Sequence, residues 1–168
     1  MGAAEVVAIV AAGASVAAST FAAIELRLST RDRREARAAE IDGVAVAWHP
    51  TVRPNHPDTD GNAAWTYEIV AQNPGRLPIR AVEVTLHLAG QFQRLHYDGA
   101  LQPVTELVLV EPVILASSRR TWRRTLVLPF DQGHLLSQTA ASIAFTPATG
   151  GRHVNHMDGR APEVVRHT

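Results

Sequence analysis

The chain has 168 residues with 16 basic and 16 acidic side chains, so its net charge is zero and no global field draws it to nucleic acid. Hydrophobic residues make up 46% and charged residues 19%, values of an ordinary globular chain long enough for a proper core. Cysteine is absent, which excludes disulfide staples, thiolate metal sites and cysteine nucleophiles.

Residues 1–28 read as a transmembrane helix. The run from Val6 to Ile24 carries no charge, and its length of about 19 residues matches a bilayer span. Alanine dominates it. Four valines, two isoleucines and Phe21 supply the apolar drive, on the order of −2 to −4 kcal/mol of insertion free energy. Small residues recur on one side at Ala8, Ala12, Ser15, Ser19 and Ala22. A face of that kind lets helices approach closely in lipid, which would make it the packing face of a homo-oligomer. Arg27, Arg31, Arg33, Arg34 and Arg37 follow the span and no basic side chain precedes it. That bias places the C-terminal side in the cytoplasm, with the protein in the cell membrane. Two other readings compete: a cleaved signal peptide, and a pilin-like segment, because Glu5 stands ahead of the apolar run. The first lacks a basic n-region and the second the basic leader.

Residues 29–42 continue as an Arg-rich helical stalk. Arg31 and Glu35 stand at i,i+4, and Gly43 ends the helix. Residues 43–156 then turn to β. Val44, Val46 and Trp48 alternate with Ala45, Ala47 and His49. Pro50 has no N–H for a ladder, so this strand either stops there or lies at an edge. The acidic loop Asp58-Thr59-Asp60-Gly61-Asn62 invites a calcium reading. It lacks the closing glutamate and the two helices of an EF-hand, so a turn held by Asx bonds fits better.

The stretch from Ala64 to Leu88 predicts the central strand pair. Trp65, Tyr67, Ile69 and Ala71 share one face, with Thr66, Glu68, Val70 and Gln72 on the other. Asn73-Pro74-Gly75-Arg76 predicts a type II turn with Gly75 at positive φ and the Asn73 side chain bonding backbone N–H groups further on. Val82, Val84, Leu86 and Leu88 then face inward, and Ile79 is out of phase with them, which predicts a bulge near Arg80.

These residues, in the pattern Y-x-I-x-x-x-N-x-G-x-x-P-I-x-x-V-x-V, resemble the central strands of bacterial immunoglobulin-like β-sandwiches. The whole chain is similar to uncharacterised small single-pass membrane proteins of actinobacteria. Those join an Ala-rich helix, an Arg/Ala-rich segment and such a domain, often closed by a hairpin F-x-D-x-x-G-x-x-W-x-R. Here that hairpin would start at Phe145 and turn at Gly150, with Pro147, His153 and Asn155 replacing the acid, the tryptophan and the arginine. The resemblance implies a fold and brings no activity or cofactor with it.

Further on, Gln91 to Tyr97 predicts a polar edge strand, and Glu106 to Leu115 and Thr121 to Leu128 two more strands. Asp131 to Thr139 predicts a short helical crossing, and Ala141 to Thr146 a strand that pairs with a last one near Arg152. Residues 157–168 read as a flexible tail. About seven strands at this spacing predict a mainly β, immunoglobulin-like antiparallel sandwich.

Three features bear on chemistry. Asp131, His134 and Ser137 have the residue types of a hydrolase triad, but nothing around them marks a strained nucleophile turn or oxyanion donors. His49 with His56, and His153 with His156, fall short of the converging ligands zinc needs, so no metal is expected. Arg119, Arg120, Arg123 and Arg124 around Trp122 form the densest basic group, suited to an anionic partner such as lipid headgroups. The expected function is therefore a membrane-anchored, non-catalytic interaction module whose partner is anionic lipid or an unidentified protein. An extracytoplasmic binding or pilin-like filament subunit is the alternative, and a small hydrolase the distant one. No cofactor, catalytic residue or nucleic acid is implied.

Overall fold

A computed structural model describes Arg27, residues 29–157 and residues 163–165. The predicted span at residues 6–24 and its small-residue face lie outside them. Among the described residues no helix is long and apolar enough to cross a membrane. The chain divides into two compact units, residues 1–39 and 40–168. In the first, the stalk is helical from residue 29, and Arg31 Nε meets Glu35 Oε1 at 2.7 Å. Both side chains are exposed, so the pair adds only a few tenths of a kcal/mol, roughly 0.2–0.5, to the helix.

The second unit is mainly β and antiparallel. After a last helical turn at residues 40–42 come β1 (Ala45–Val52), β2 (Asn62–Asn73), β3 (Ile79–Leu95), β4 (Leu101–Ile114) and β5 (Ser118–Pro129). A 3-10 helix (Phe130–Gln138), β6 (Ala140–Pro147), β7 (Arg152–His156) and β8 (Glu163–Val165) complete it. All eight strands belong to one hydrogen-bonded sheet in the order β1-β2-β5-β3-β6-β7-β8, with β4 along the other side of β3.

That sheet curls because β3 changes partners. Its first half pairs with β6, from Ile79 to His87, whereas Gln93, Arg94 and Leu95 pair with β5. Between the halves, residues 88–91 of β3 stand opposite Thr105 alone. A bulge of this kind bends a strand and increases its twist. Gly90 sits in the bend, where an added Cβ would come 3.3 Å from Phe92 and 3.5 Å from Leu135 of the 3-10 helix. The segment from Gln91 onward is therefore no edge strand. Ala89-Gly90 reads locally as an end, but Phe92 is only 1% exposed and anchors the continuation.

The alternation predicted for the two central strands holds, but they are not a pair: β2 is hydrogen-bonded to β1 and β5, and β3 to β4, β5 and β6, so the short turn between them crosses to another part of the sheet. Trp65, Ile69 and Ala71 of β2 and Val82, Val84 and Leu86 of β3 are buried. Phe92, Leu107, Leu126, Leu128, Ile143 and Phe145 join them in one buried cluster, each worth roughly 1.5–3 kcal/mol when buried. The predicted bulge is at Ala81, whose φ is 48° and across which the β3–β6 register shifts, so that Ile79 and Val82 both point inward.

The turn after β2 differs from expectation. Gly75 is not among the residues with positive φ. It is needed for close approach, because a Cβ there would lie 3.1 Å from Asn73 Oδ1. Asn73 itself is buried and accepts the predicted bond from Gly75 N. Its Nδ2 also donates to the carbonyls of Leu77, Ile114 and Leu115, fastening the turn to the end of β4. Within the stretch expected as a tail, Glu163–Val165 pairs with β7. β1 runs through Pro50 with a register shift beside it and lies at the sheet's edge, where a proline is tolerated.

Candidate functional site

The inner face of β1 and β2 is where the domain departs from a plain aliphatic core. Pairing sets Trp48 opposite Ile69 and Pro50 opposite Tyr67. Trp48, Pro50, Trp65 and Tyr67 thus share one face, since side chains alternate along a strand and match across a ladder. The 3-10 helix crosses their end and contributes Gly133, Leu136 and Ser137, and Arg53 enters from the loop after β1. Together they enclose an open cleft of about 340 Å³, within the size range of small-ligand sites.

Each wall has a local cause. Trp65 is 8% exposed and stacks on Phe130, with ring centroids 6.2 Å apart. Gly133 rests against it so closely that an added Cβ would be 2.7 Å from Trp65 Cζ2. Burial raises the Tyr67 phenol above its ordinary 10.0, and the charge of Arg53 partly offsets this. Behind the cleft, Trp48, Tyr67 and Leu136 also border a void of about 10 Å³ between the sheet's two halves. Arg53, Tyr67 and Ser137 are the polar side chains of the cleft. Such a surface can stack a flat apolar group on indole and phenol faces and hold an anionic or acceptor edge with Arg53.

Of the sequence-derived candidates among the described residues, Ser137 lines the cleft and the others fall elsewhere. Asp131, His134 and Ser137 all lie on the 3-10 helix without meeting as a triad. His134 Nδ1 is 3.0 Å from the Asp131 backbone carbonyl, and Ser137 Oγ donates to the His134 carbonyl at 2.6 Å. His49 approaches Glu68 at 3.8 Å, His153 stacks on Phe145, and His156 is 3.7 Å from Glu163. Among the described residues no three His, Asp or Glu side chains gather as a metal ion requires. Asp58 Oδ1 accepts from the backbone N–H of Asp60 and of Asn62, the Asx-type turn expected for that loop.

The arginine group around Trp122 does not form one patch. Strand alternation turns Arg120, Trp122 and Arg124 to the inner face with Leu126, and Arg119 and Arg123 to the outer face. Arg120 is held by Glu111 at 2.7 Å and Arg123 by Glu68 at 3.6 Å. The helix-packing set Ala8, Ala12, Ser15, Ser19 and Ala22 lies outside the described residues. Trp48 and Arg53 were not singled out from sequence, because only the β1–β2 register brings them beside Tyr67.

No protein-family model matches the chain, and no curated protein matches it. Among solved structures, a structural-genomics target is similar over 77% of this chain and 89% of its own, at 11% identity and a TM-score of 0.38. A putative ApaA protein from Bordetella pertussis is similar over 73% of this chain and 85% of its own, with 14% identity and a TM-score of 0.36. The sporulation control protein Spo0M from Bacillus subtilis follows over 73% and 49%, at 10% identity and a TM-score of 0.32. Likeness at this level carries no functional weight.

Proposed function

We propose that the chain is a single-pass membrane protein whose immunoglobulin-like domain is a non-catalytic interaction module, with the aromatic cleft as its docking surface. The observation that carries this is the cleft of about 340 Å³ in which Trp48, Trp65 and Tyr67 stand beside Arg53. Indole and phenol rings offer large flat apolar faces with a polar tip, and a flat apolar group flanked by an acceptor fits this opening. The anchor rests on the uncharged run at residues 6–24 and the arginines after it, which place the domain on the cytoplasmic side. The overall order of Ala-rich run, Arg-rich stalk and β-domain supports kinship with the small actinobacterial membrane proteins.

The test uses full-length protein in its native membrane, with a photo-crosslinking amino acid at Ser137 on the cleft rim. The protein should stay in the pellet after an alkaline carbonate wash and give a defined adduct that Trp48→Ala suppresses. Release into the wash removes the anchor, and an adduct indifferent to Trp48 removes the cleft.

A further inference from the structure

Arg94 on β3 is the register partner of Leu126 on β5, and Arg124 precedes Leu126 by two residues. Residues paired across a ladder share a face, as do residues two apart. Both arginines are therefore on the inner face with Leu126, as diagonal neighbours whose Cα atoms stand roughly 7–8 Å apart, within reach of long side chains. Both are half-buried, and the Nε of each is buried with no hydrogen-bond partner among the described residues. Arg124 commits an Nη1 hydrogen to the Arg123 carbonyl at 2.7 Å. Their neighbours on β5 are treated differently, since Arg120 has Glu111 and Arg123 has Glu68. Neither Arg94 nor Arg124 has a carboxylate partner among the described residues. Arg124 loses its proton more readily than an ordinary arginine, first because it is partly desolvated and second because Arg94 repels it.

Two guanidinium groups placed side by side, half out of water and without a counter-ion, are an unfavourable arrangement unless something anionic completes it. We propose that Arg94 and Arg124 together form a binding site for a phosphate-type oxyanion. A phosphate dianion offsets both charges, and its tetrahedral oxygens accept from two planar forks at once, which a single carboxylate does less well. This site does not depend on the aromatic cleft being a docking surface.

The test is a titration of full-length protein in uncharged micelles, labelled with nitrogen-15 at arginine, with inorganic phosphate added at constant ionic strength against chloride. The Nε–H resonances of Arg94 and Arg124, assigned through Arg94→Lys and Arg124→Lys, should move together and saturate. Those of Arg119 and Arg123 should stay. Either lysine variant keeps the charge but loses the fork, so phosphate affinity should fall about tenfold. A second arm replaces free phosphate with phosphatidylcholine vesicles containing phosphatidic acid. Saturation with free phosphate assigns a soluble ligand, and saturation with vesicles alone assigns a lipid headgroup. A non-saturating drift of all arginines in parallel, in both arms, is mere screening and overturns the site. That reading needs only the wild-type spectrum, so it survives a variant that fails to fold.

Discussion

Asn73 and Asn155 each hold together segments far apart in the chain. The Asn73 amide nitrogen has two hydrogens and faces three carbonyls, at 2.9, 3.3 and 3.0 Å, so at least one hydrogen is shared. Asn155 donates to the carbonyls of Ile41 at 2.7 Å and Val44 at 2.8 Å. It thereby ties β7 to the entry of β1. Burial also acts on the phenol of Tyr67. Its raised value, caused by burial and moderated by Arg53, means the folded protein holds the phenolic proton more tightly than the unfolded chain does. Its contribution to stability is therefore complete below pH 10 and is lost as the pH rises through 10 toward the folded value. Urea midpoints measured up that alkaline range should fall, and less steeply in Tyr67→Phe. An unchanged slope in the variant would assign the loss to other groups.

At the scale of elements, the β3 strand carries the irregularities that shape the domain. Ala81 holds φ at 48°, which costs a non-glycine residue roughly 1–2 kcal/mol. Its backbone is bent there so that Ile79 and Val82, which a regular strand would send to opposite faces, both reach the core. Glycine adopts this conformation freely but loses about 0.5–1 kcal/mol through the greater freedom of the unfolded chain. Ala81→Gly should therefore raise stability modestly, by up to about 1 kcal/mol, seen as a higher urea midpoint at constant slope. A lower midpoint would show that the Ala81 methyl makes contacts worth more than the strain it imposes. On the outer face of β2, Glu68 lies 3.6 Å from Arg123 and 3.8 Å from His49. Such part-exposed pairs contribute about 0–1 kcal/mol, far less than Ile69 on the opposite face.

For the β-unit as a whole, the exchange of partners along β3 makes one sheet serve as two facing layers. Phe92 is buried where β3 leaves β6 and joins β5. Removing its ring opens a cavity between both layers at once. Phe92→Ala should cost about 3–5 kcal/mol, and unfolding followed by circular dichroism and by tryptophan fluorescence should still give one coincident transition. Two separated transitions would show that the layers fold independently and that β3 does not couple them.

Burial along each strand was legible in the sequence, because alternation is a local property. Trp65, Ile69, Val82 and Val84 could be assigned to the inner face from spacing alone, as could the irregularity near Ala81. The Asx loop at Asp58 and the helical crossing before β6 were equally local, and both are present. The fate of Gly75 and of the Ala89-Gly90 step was not legible, since a glycine required for close approach looks the same in sequence as one required for positive φ. Pairing was legible for the β6–β7 hairpin, where a short turn joins partners, but not elsewhere: β2 and β3 are also joined by a short turn and are not partners. Which strand lies beside which, and in what register, depends on contacts between residues distant in the chain. That register sets Trp48 and Arg53 beside Tyr67, splits the arginines around Trp122 between two faces, and brings Arg94 to Arg124. The arginine cluster was dense in sequence because its members are neighbours along one strand. A strand sends neighbours to opposite sides, so proximity in sequence dispersed that patch, and only the folding of β3 onto β5 assembled a different one.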